Sequence, residues 1–131
     1  MFIRFIAEFR NEDGEIETGV FQAAGFLRAS NETYDYDKKQ LLELKDWFNR
    51  YLEKPERFNK ATRKNASNVA LSWFKSSATE HLQKMYEIIH ILDKYNIAVT
   101  VVKRKNPGYI IYEDDYQVST IPHGKEAHIV K

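Results

Sequence analysis

Residues 2 to 9 alternate. Ile3, Phe5, Ala7 and Phe9 fall on one side of an extended segment and Arg4 and Glu8 on the other, the period of a half-buried strand. Asp13-Gly14 ends it with a turn signal. The period then lengthens. Thr18 stands where an N-cap belongs, and Val20, Ala24 and Leu27 recur at helical spacing beside Phe21, predicting a helix over 19–29 that Gly25 weakens in the middle. Further on, Asp37 and Gln40 have capping-box spacing. Leu41, Leu44, Phe48 and Tyr51 follow as an apolar stripe flanked by Trp47 and Leu52, and Pro55 stops this second helix near Lys54.

Residues 55–68 have no clean period and read as loop. The run VALSWF (69–74) fits a strand or a helix, and periodicity does not decide between them. Ser77 and Glu80 form a second capping box, predicting a helix from about 78 to Tyr95 with Leu82, Met85, Ile89 and Leu92 on its stripe, Ile88 widening it and Asn96 ending it. Ile97, Val99 and Val101 then alternate. Asn106-Pro107-Gly108-Tyr109 is a turn, and two strands flank Glu113-Asp114-Asp115. A two-residue loop at Asp114-Asp115 would set Ile111 opposite Val118 and Tyr109 opposite Thr120. The expected architecture is α+β: a single layer of mainly antiparallel sheet, made of the N-terminal strand and a C-terminal three-stranded meander, with about three helices packed on one face. The strand order stays open.

A length of 131 residues fits one globular domain, with a polar tail from about 122. The chain has no cysteine, which removes disulfides, thiolate metal sites and thiol nucleophiles. Arg4, Glu8 and Arg10 interrupt any signal-peptide core, and no apolar run approaches a membrane span, so a cytoplasmic protein without a membrane partner is expected.

The segments ALSWFKSSATEHLQKMYEIIHIL and NPGYIIYEDDYQV resemble a group of small, uncharacterised bacterial proteins that share a WFK-helix and a PGxxxYEDxxQV-like strand pair. The resemblance covers about the C-terminal half and implies a bacterial, cytoplasmic setting. It implies no activity.

Candidate chemistry is sparse. The acidic triplet could ligate a hard cation, but successive strand residues point to opposite faces and aspartate is favoured in tight turns, so a hairpin tip is the expectation. His81 and His90 lie nine positions apart, on opposite sides of one helix, and cannot share a metal. No nucleophile-elbow, zincin or phosphate-loop pattern occurs, and neither a catalytic residue nor a cofactor is assigned.

The net charge is +1, yet the charge is segregated. Lys54, Arg57, Lys60, Arg63 and Lys64 face only Glu56 within residues 54–64, five cations minus one anion, and Lys103, Arg104 and Lys105 add three more cations at a strand end. With Phe58 interleaved, these residues form a candidate nucleic-acid surface. Ile110, Tyr112, Gln117, Ser119 and Ile121 are expected to share a mixed apolar and polar sheet face suited to an interface. A small non-catalytic module that binds a protein partner or itself is the leading expectation, and a nucleic-acid binder is the alternative.

Overall fold

Strand β1 (Phe2–Ala7) has the expected alternation, with Ile3, Phe5 and Ala7 buried and Phe2, Arg4 and Ile6 half-buried. The computed structural model describes residues 1–54 and 70–122. After β1 come a short ribbon of β2 (Phe9–Arg10) and β3 (Ile16–Glu17), helices α1 (Val20–Ala29) and α2 (Asp35–Tyr51), strand β4 (Leu71–Lys75), helix α3 (Thr79–Lys94) and strands β5 (Val99–Arg104), β6 (Tyr109–Glu113) and β7 (Gln117–Ile121). The protein is thus α+β, with three helices among the described residues and a mainly antiparallel sheet. Of the run left undecided by its period, residues 71–74 belong to strand β4.

The expected meander is not formed. The sheet order is β5-β1-β4-β7-β6, so β5 and β6, neighbours in sequence, lie at opposite edges. Four residues, 105–108, connect them. Gly108 sits in the turn at φ +124°, where a Cβ would collide with the Ile121 carbonyl.

Two compact units make up the chain. One contains 5–51 and 80–102 and carries the helices. In it Ala7 N–H donates to the Thr18 carbonyl at 2.9 Å and Gln22 Oε1 accepts the Gly19 N–H at 3.1 Å, so Gly19, rather than Thr18, is the N-cap of α1. Helix α2 begins two residues before Asp37. Asp37 therefore does not cap it. The side chain is buried, and its Oδ2 accepts from Tyr95 Oη at 2.5 Å and Lys94 Nζ at 2.9 Å, so the acid-rich start of α2 is tied to the cation at the end of α3. The buried residues of α3 are His81, Met85, Ile88, Ile91 and Leu92: Met85, Ile88 and Leu92 are as expected, while His81 and Ile91 are buried and Leu82 and Ile89 only half-buried. Asn96 ends it in the left-handed region, φ 64°, with Ile97 N–H closing on the Leu92 carbonyl at 2.9 Å.

The other unit contains 1–4, 52–54, 70–79 and 103–122 among its described residues. Its β1–β4 register pairs Phe2 with Lys75 and Ile3 with Phe74, and β4–β7 pairs Trp73 with Val118 and Phe74 with Gln117. Ile3, Phe74 and Gln117 thus share one face, and Trp73, Val118 and Thr120 the other. All six are buried, so both faces of the sheet are covered here.

Candidate interaction site

The acidic tip is built as a turn. Asp114 Oδ1 accepts the backbone N–H groups of Tyr116 at 2.8 Å and Gln117 at 3.0 Å, while Oδ2 accepts Tyr112 Oη at 2.7 Å and Gln117 Nε2 at 3.1 Å. Burial raises the Asp114 pKa, but the Tyr116 and Gln117 amides and the Tyr112 hydroxyl outweigh it, and the net direction is downward. Burial, reinforced by Asp114, pushes the Tyr112 hydroxyl up to about 12. Glu113 pairs with Lys75 at 2.6 Å and Asp115 is exposed, so the three acids stand in three different environments. Among the described residues no three His, Asp or Glu side chains gather to hold a metal ion.

The register is shifted from the expected one. Glu113 faces Val118, and the Asp114 N–H donates to the Gln117 carbonyl at 3.0 Å, leaving Asp115 and Tyr116 as the two loop residues. A bulge at Ile111 then reverses the faces upstream. Ile110 pairs with Thr120, whereas Tyr112 pairs with Ser119. The five residues expected on one mixed face are divided accordingly. Ile110 is exposed on the Thr120 side, Tyr112 and Ile121 are half-buried, and Gln117 and Ser119 are 3% exposed. Gln117 also donates from Nε2 to the Glu53 carbonyl at 2.7 Å. Its side chain is held inside the unit by these bonds.

Of the predicted basic surface, Lys54, Lys103, Arg104 and Lys105 are exposed, the last three in a run at the end of β5. Arg57, Phe58, Lys60, Arg63 and Lys64 lie outside the described residues.

The helices hold a cluster that the sequence reading did not single out. Trp47 on α2 has ring centroids 5.0 Å from Phe48, 5.1 Å from Tyr51 and 4.8 Å from His81 of α3, and Phe21 of α1 stands 5.1 Å from Phe48. Phe48 and His81 form the buried floor. Phe21 is 43% exposed, Tyr51 is 50% exposed and Trp47 is half-buried. His81 Nε2 lies 2.8 Å from the Tyr51 carbonyl, which can only accept, so this nitrogen carries the proton and fixes the ring against the last turn of α2. Lys84 Nζ lies 5.6 Å from the Trp47 centroid, a cation at the rim. The sequence signal was present but ambiguous. Phe21, Trp47 and Tyr51 are large rings beside or at the end of apolar stripes, and only the packing of three helices brings them together.

Comparison with protein-family models, curated proteins and solved structures finds no match. No helix among the described residues is long and apolar enough to cross a membrane.

Proposed function

We propose that this protein is a non-catalytic interaction module that docks a protein partner through Phe21, Trp47 and Tyr51. The observation that carries this reading is an exposed ring surface whose floor, Phe48 and His81, is already immobilised. Aromatic side chains dominate binding energy at protein interfaces, and rings held rigid before binding lose little entropy on docking. Lys84 supplies a polar rim beside the apolar centre, the usual anatomy of such surfaces. A bacterial, cytoplasmic setting belongs to the same reading.

The test places a photo-crosslinking side chain at Gln22, exposed next to Phe21, and identifies captured chains by mass. One protein partner is expected, lost in Phe21→Ser/Tyr51→Ser although that variant still unfolds cooperatively. Capture of this chain itself, matched by a dimer mass in light scattering, would make the partner a second copy. Undiminished capture by the double variant would refute the assignment of the surface.

A further inference from the structure

Two buried donors in the sheet unit lack acceptors. Arg4 Nη1 donates to the Ser72 carbonyl at 3.0 Å, but Arg4 Nε is buried without a hydrogen-bond partner, and Trp73 Nε1 is in the same state. The β1–β4 pairing ends at Ile3↔Phe74; alternation along each strand places Arg4 and Trp73 on the opposite face from that pair, and Arg4 reaches the carbonyl of Ser72, the residue next to Trp73. Both groups can only donate. Neither can satisfy the other, and both call for the same thing, an acceptor.

The charge is equally unbalanced. Lys75, two residues along β4 from Trp73 on the same face, is neutralised by Glu113. No carboxylate among the described residues pairs with Arg4. Burial draws the Arg4 guanidinium below its ordinary pKa, which marks the cost of keeping that charge there. A guanidinium whose Nε is buried with no counter-ion among the described residues, and a buried indole N–H without an acceptor, are each unfavourable. With Nη1 committed to Ser72, the guanidinium retains its Nε–Nη2 edge, which offers two parallel N–H bonds. Arg4 as a residue is half-buried, although its Nε is occluded.

We propose that Arg4 and Trp73 form a binding site for a small oxyanion, a carboxylate or phosphate group held by the Nε–Nη2 edge of Arg4 and the indole N–H of Trp73. This site is independent of the aromatic surface on the helices and stands or falls separately from it.

The experiment titrates 15N-labelled protein with sodium phosphate and, separately, sodium acetate, at an ionic strength held constant with sodium chloride. The two indole N–H signals are assigned with Trp47→Phe. The Trp73 signal is expected to move downfield saturably while the Trp47 signal stays in place. Arg4→Lys keeps the charge but loses the fork, and should weaken apparent affinity about tenfold. Melting supplies a second readout. The anion should raise wild-type Tm but not that of Arg4→Met, and in chloride alone Arg4→Met should melt no lower than wild type, because it removes an unpaired buried cation. A response to phosphate alone or to acetate alone supports the site and names its ligand class. A Trp73 signal indifferent to both anions, a shift that persists in Arg4→Met, or a loss of stability in Arg4→Met in chloride would overturn the proposal.

Discussion

At the residue scale, the strongest constraints come from polar side chains in positions an apolar count ignores. Asp37 is one. The Tyr95 hydroxyl and then the Lys94 ammonium hold its carboxyl below the ordinary 3.8, and Asp37 in turn holds Lys94 above 10.5. Tyr95 is raised above 10.0, by burial first and by Asp37 second. A lowered acid contributes stability above its unfolded pKa and loses it as pH falls through the folded value. A raised base or phenol contributes below its unfolded pKa and loses it as pH rises through the folded one. Asp37→Asn should therefore lower Tm at pH 7, with the difference from wild type shrinking below pH 3.8 and again above pH 10. A pH series of melting curves for both proteins checks this, and a difference constant across that range would mean the cluster is not electrostatic. Trp73 is the apolar counterpart. At 3% exposure, truncation in Trp73→Ala should cost about 3–5 kcal/mol in urea unfolding, the range for deleting a buried ring.

Among the elements, the β6–β7 hairpin shows how a turn sets a register. Counting apolar positions put Ile111 opposite Val118, because that alignment joins two aliphatics across the strands. Asp114 decides otherwise. Its two oxygens collect four donors, three of them from Tyr116 and Gln117, and this fixes Asp115-Tyr116 as the loop. The bulge at Ile111 then absorbs the mismatch and keeps that residue buried. Asp114→Ala should destabilise by about 1.5–3 kcal/mol, the scale of hydrogen bonds to a charged group, while Asp115→Ala should stay within about 0.5 kcal/mol. Chemical denaturation of the two single variants makes the comparison, and equal effects would contradict the division of labour at the tip. Helix α3 teaches a related point. Its buried face takes in His81, which an apolar count omits, because the Tyr51 carbonyl satisfies the ring and lets it be buried.

For the whole molecule, segregated charge raises the alternative of nucleic-acid binding. Three exposed cations at the end of one strand can release only about two or three counterions from a polyanion. If the aromatic surface is the working one, wild type should show little salt-sensitive retention of single- or double-stranded DNA or RNA, and Lys103→Gln/Lys105→Gln should leave Tm nearly unchanged. A log–log salt slope near −2 or steeper that flattens in the double variant would favour the nucleic-acid reading. The sequence by itself determined the class and most of the elements: alternation marked β1, helical spacing marked α1, α2 and α3, Asn96 ended the last helix, and Pro107-Gly108 marked the turn before β6. These signals are local, since a period or a turn preference is set by residues a few positions apart. Tertiary structure alone decided that β4 is a strand, that β5 and β6 occupy opposite edges, that Gln117 and His81 face inward, and that Phe21, Trp47 and Tyr51 form one surface. Each of these depends on a partner distant in the chain, a pairing strand, an acceptor carbonyl or a facing helix, and the free energy of burying a group depends on that partner rather than on its neighbours in sequence.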